Sequence, residues 1–66
     1  MKAKEKTIDG KRYKITQAGY VYRDGSRITS LPLHPLYCVA RIPDGPDDLS
    51  RLCFDWIRDN YTMVNS

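Results

Sequence analysis

The pair Asp-Gly occurs at 9–10, 24–25 and 44–45, and its first two copies lie between runs of alternating β-prone residues. Asp-Gly favours the two-residue type I′ turn, which needs positive φ at both positions and twists with the strands it joins. The first half of the chain is therefore expected to form hairpins. With Asp24-Gly25 as the turn, Arg23 pairs with Ser26, Tyr22 with Arg27, Val21 with Ile28 and Tyr20 with Thr29. Paired residues share a face. Val21 and Ile28 then lie on one side, and Tyr20, Tyr22, Arg27 and Thr29 on the other.

The same logic extends upstream. Gln17-Ala18-Gly19 makes a three-residue loop with glycine where left-handed backbone is wanted. Thr16 then pairs with Tyr20, Ile15 with Val21 and Lys14 with Tyr22. Ile15, Val21 and Ile28 become an apolar row, and Lys14, Tyr22 and Arg27 a row on the opposite face. A slip of one residue would mix the two sets. Asp9-Gly10 supports a further short strand over residues 5–8.

The second half is punctuated differently. "LPLHP" at 31–35 holds two prolines, which fix the backbone and remove donors, so it is irregular. "YCVARI" at 37–42 reads as an extended run, either a further strand or an extension after a bend. From 46 onward the pattern is helical. Asp44 or Gly45 is placed to cap, Pro46 suits the first turn, and Asp47 and Asp48 complement the positive helix end. Leu49, Leu52, Cys53, Trp56 and Ile57 recur at helical spacing and form one apolar stripe, flanked by Phe54 and Tyr61. The expected architecture is α+β. A three-stranded antiparallel meander, extendable to four or five strands, packs on one C-terminal helix. It forms one small domain over 1–66, with 1–6 and 62–66 as loose tails. A sheet covered on one side only leaves its other face to water, and that face carries Arg12, Lys14, Thr16, Tyr20, Tyr22, Arg27 and Thr29.

Composition narrows the function. A chain of 66 residues buries only about 60% of its unfolded surface, which leaves little room for an enclosed active site. His34 is the sole histidine and sits between prolines, with no nucleophile signature beside it. Cys38 and Cys53, 15 positions apart, lack the spacing of a zinc site and read as small buried hydrophobes in a reducing compartment. Asp44, Asp47 and Asp48 lack the calcium-loop pattern, and there is no glycine-rich phosphate loop. No metal, cofactor or catalytic residue is expected. "MKAKEKT" has no apolar segment after it, so neither a signal peptide nor a membrane span is expected, and the chain reads as cytoplasmic. The net charge of +3 is uneven. Residues 1–30 carry eight Lys/Arg against three Asp/Glu, and residues 31–66 three against five. A positive first half suits an acidic partner.

"YKITQAGYVYRDGSRI", followed later by a helix, resembles the N-terminal arm-binding domains of phage-type tyrosine integrases. Those are small AP2-like domains of three strands and a helix, which lay the sheet in the DNA major groove. The matching part covers roughly residues 11–30. The resemblance implies that Lys14, Tyr20, Tyr22, Arg23 and Arg27 touch DNA. Two departures stand out. "LPLHPLYCVARIP" separates the third strand from the helix, and no recombinase domain lies within the 66 residues. The implied role is an accessory or regulatory DNA-binding module of a phage or other mobile element, or of a bacterium.

Two functions are therefore expected to compete. One is a non-enzymatic binder of double-stranded DNA, as monomer or homodimer, through Arg12, Lys14, Tyr20, Tyr22, Arg23, Arg27 and Thr29. The other is a small inhibitor or adaptor that docks on a host protein through Leu31, Leu33, His34, Leu36 and Tyr37.

Overall fold

The computed structural model describes residues 2–36, 42 and 45–61. Among the described residues, four strands, β1 (Lys4–Ile8), β2 (Lys11–Ile15), β3 (Val21–Arg23) and β4 (Ser26–Arg27), precede one helix, α1 (Asp47–Tyr61). The strands form an antiparallel sheet in the order β1-β2-β3-β4. Expectations for Tyr37, Cys38, Asp44, a strand over 37–42 and a tail over 62–66 fall wholly or mostly outside the described residues.

The first two Asp-Gly pairs turn as the sequence predicts. Asp9 and Gly10 have φ of 52° and 78°, and Asp24 and Gly25 have 48° and 88°. Asp tolerates this left-handed region because its short side chain bonds locally. Here the Asp24 carboxylate accepts the Arg12 backbone N–H at 3.0 Å while the Asp24 N–H donates to the Arg12 carbonyl at 2.8 Å. The expected register is observed, with Lys14 opposite Tyr22, Ile15 opposite Val21, Tyr22 opposite Arg27 and Arg23 opposite Ser26. Around Gln17-Ala18-Gly19, the Thr16 N–H donates to the Tyr20 carbonyl at 3.0 Å and the Thr16 hydroxyl accepts the Tyr20 N–H at 3.2 Å.

The loose tail expected over 1–6 is corrected. Residues 4–6 are the first half of β1, which pairs with β2 along its whole length, from Lys4 opposite Ile15 to Ile8 opposite Lys11. The helix end also grips this strand. Lys4 Nζ lies 2.7 Å from the Asp59 carboxylate, and the Lys2 N–H donates to Asn60 Oδ1 at 2.7 Å. Asn60 Nδ2 donates back to the Lys2 carbonyl at 3.3 Å. β4 is short, but the chain stays beside β3 after it. The Ile28 N–H donates to the Val21 carbonyl, and the Thr29 hydroxyl accepts the Val21 N–H at 3.1 Å.

Helix α1 buries Leu49, Cys53 and Trp56, with Leu52, Ile57 and Tyr61 partly buried beside them. Phe54, expected at the flank of the stripe, is 61% exposed. Pro46 is at the cap position rather than in the first turn, because its carbonyl accepts the first helical N–H groups, from Leu49 at 3.0 Å and Ser50 at 3.4 Å. The helix packs on β1 and β2, over Ile8, Tyr13, Ile15 and Val21. Leu33 completes the core at 1% exposure. Its N–H donates to the Gly19 carbonyl at 2.9 Å, which pins the irregular segment to the β2–β3 loop. Trp56 closes this end, its ring edge-on to Tyr61 at 5.9 Å.

Candidate nucleic-acid interface

Strand alternation puts the core residues Ile8, Tyr13, Ile15 and Val21 on one face of the sheet. The opposite face carries Glu5 and Thr7 from β1, Arg12 and Lys14 from β2, and Tyr22 from β3. Thr16, Tyr20 and Arg27 continue it. No described element packs over it. Side chains here are held by cross-strand pairing alone, so their order follows from the ladder. Glu5 faces Lys14, Lys14 faces Tyr22, and Tyr22 faces Arg27, making one row across four strands.

The row is basic and aromatic at one side. The Arg27 guanidinium lies over the Tyr20 ring, 5.1 Å from its centroid. Such a contact restrains a long side chain and contributes about 0.5–1 kcal/mol at an exposed site. Neither Lys14 nor Arg27 is in an ion pair with any described residue. Towards the β1 edge the balance changes. Arg12 Nε lies 3.4 Å from a Glu5 carboxylate oxygen, with both side chains largely in water. Glu5, Thr7, Arg12, Lys14, Thr16, Tyr22 and Asp24 line an open trough of about 840 Å³.

Five of the seven residues predicted for DNA contact, Arg12, Lys14, Tyr20, Tyr22 and Arg27, are brought to this face. Arg23 is not. It sits opposite buried Tyr13 and opposite Ser26, on the helix side of the sheet, because neighbouring strand residues alternate between faces. Thr29 is partly buried, and its hydroxyl is engaged by the Val21 N–H, so it serves the fold. Glu5, Thr7 and Asp24 join the face although the sequence reading did not assign them to it. Counting back from the Asp9-Gly10 turn pairs Thr7 with Arg12 and Glu5 with Lys14, which is the signal that finds the first two.

The residues expected to dock a protein are scattered. Leu33 is core, while Leu31 and Leu36 are 56% and 88% exposed. His34 lies edge-on to Tyr61 at 5.2 Å, and its Nδ1 accepts the Leu36 N–H at 3.1 Å. Tyr37 lies outside the described residues. Among the described residues, no group of three or more His, Cys, Asp or Glu side chains is placed to hold a metal ion. Among the described residues, no helix is long and apolar enough to cross a membrane. No protein-family model, no curated protein sequence and no solved structure matches this chain.

Proposed function

We propose that this chain is a small non-enzymatic DNA-binding module, of accessory or regulatory kind, that uses the uncovered face of its sheet. The observation that carries the reading is the cross-strand row Lys14–Tyr22–Arg27, with Tyr20 beneath Arg27, on a face that nothing described covers. Lysine and arginine neutralise phosphates, and tyrosine rings stack on bases or press against sugars. The row sits on paired strands, so its spacing across the face is set before a ligand arrives.

The test is fluorescence anisotropy with labelled DNA, single-stranded and duplex, titrated at low and moderate salt against the wild type and Arg27→Ala. The expected result is binding that weakens as salt rises and is weaker still in the variant, while its circular dichroism stays that of the wild type. No binding of either form at low salt overturns the reading. A second reading, docking on a protein partner, is favoured by one observation. Leu31 and Leu36 are exposed on either side of buried Leu33. It predicts that Leu31→Ser with Leu36→Ser abolishes partner capture and leaves DNA affinity untouched.

A further inference from the structure

We infer that the ligand of this face is single-stranded rather than duplex nucleic acid, an inference that rests on the nucleic-acid reading above.

Width is the first consideration. Four strands are joined by three spacings of about 4.8 Å, so the backbone alone is roughly 14 Å across before any side chain is added. The DNA major groove is about 12 Å wide. The strand that makes the sheet too wide is β1, which the Asp9-Gly10 turn adds and the Lys4–Asp59 contact fastens to the helix. A single strand lies across a broad sheet and needs no groove to fit.

Charge points the same way. A duplex set along the strands would bring one line of phosphates over β1. There the open face offers Glu5 and Thr7, and Glu5 already occupies Arg12 at 3.4 Å. Duplex binding depends on neutralising many phosphates. The cations of this face that make no ion pair with a described residue, Lys14 and Arg27, flank Tyr22 and suit one backbone passing over the middle of the sheet.

The aromatic spacing supplies the rest. Tyr20 and Tyr22 are two residues apart on one face, roughly 6.6 Å along the chain. Adjacent bases of an extended single strand can reach two platforms at that separation, whereas stacked bases inside a duplex offer no free ring face. The first platform is Tyr20 with the Arg27 guanidinium 5.1 Å from its ring centroid, since an arginine plane stacks on a base as a ring does. The second is Tyr22. Stacking of this kind tolerates any sequence.

The test measures anisotropy of fluorescein-labelled oligothymidine of about 15 nucleotides, a length within the usual site sizes of small single-strand binders, and of a duplex of equal length. Wild type, Tyr22→Ala and Tyr22→Phe are compared at one moderate salt. The expected result is single-strand binding at least about tenfold tighter than duplex binding, kept in Tyr22→Phe and weakened about tenfold or more in Tyr22→Ala. Tyr22→Phe preserves the ring if Tyr22→Ala fails to fold. Equal or tighter binding of the duplex overturns this inference and leaves DNA binding by the face standing. Single-strand binding that Tyr22→Ala does not weaken also overturns it. Binding of neither form brings down the DNA reading and this inference with it.

Discussion

Gly19 must be glycine for two separable reasons. Its φ of +96° is a conformation that side chains resist, and a Cβ there would meet Leu33 N at 3.0 Å, Trp56 Cη2 at 3.1 Å and Leu33 O at 3.3 Å. Gly25 shares only the first reason, since its φ is +88° and nothing lies within 4 Å. Gly25→Ala should therefore destabilise by about 1–2 kcal/mol, the backbone penalty alone. Gly19→Ala should add an overpacking penalty of about 1–3 kcal/mol, because Leu33 and Trp56 are both fixed in the core. Urea denaturation of the two variants measures the difference, and equal losses would mean that the Leu33–Trp56 contact on this loop is not as described. Thr29 gives a second test at this scale. Thr29→Val keeps the shape but leaves the buried Val21 N–H without its acceptor, a loss of about 1–3 kcal/mol. The folded variant should bind nucleic acid as well as wild type. A loss of affinity in folded Thr29→Val would return that residue to the interface.

At the scale of elements, the contact between β1 and the end of α1 decides whether the sheet has four strands or a frayed tip. The Lys4 ammonium, hydrogen-bonded to Asp59, is the main influence holding that carboxyl below its ordinary value. Partial burial opposes it, and the charges of Lys4 and Arg58 add to it. A lowered carboxylate pKa in the folded state stabilises above the ordinary aspartate value of about 3.9. That contribution is lost as pH falls through the folded value. Thermal unfolding followed from pH 7 down to about pH 3 should show a fall in midpoint that is shallower in Asp59→Asn. Identical pH profiles would mean the pair does not couple strand to helix. This contact was the least legible part of the fold. The hairpins could be counted from Asp-Gly spacing, and the helix from the recurrence of Leu49, Cys53 and Trp56, because both signals are local. Lys2 and Asn60 are 58 positions apart, and nothing local in "MKAKEK" says that its lysines end beside a helix. The burial of Leu33 is not legible for the same kind of reason, since an irregular run between prolines has no period that names its inward residue. The candidate face was legible where register decided it, at Lys14, Tyr22 and Arg27. It was not legible at Arg23, which the resemblance to integrase arm-binding domains placed at DNA but strand alternation places opposite Tyr13.

Across the whole molecule, the positive first half does not become one positive surface. Alternation divides its cations between the two faces. Arg12, Lys14 and Arg27 reach the open face, while Lys6, opposite Tyr13, Lys11, opposite Ile8, and Arg23 belong to the helix side. Two modes of binding then make opposite predictions. If affinity follows net charge, as in loose electrostatic association, the combined variant Lys6→Gln, Lys11→Gln, Arg23→Gln should be the weakest, since it removes three charges from a net of +3. If affinity follows the ordered row, that triple variant should bind nearly as wild type. Arg27→Ala, which removes one charge, should then be the weaker binder and should flatten the salt dependence by about 0.7 in the slope of log affinity against log salt for a single strand. Glutamine keeps part of each aliphatic stem and so limits the loss of packing while deleting charge. Salt titrations of the two variants rank them directly. A triple variant weaker than Arg27→Ala would show that the sheet face has no special part in binding and that the molecule's overall charge does the work.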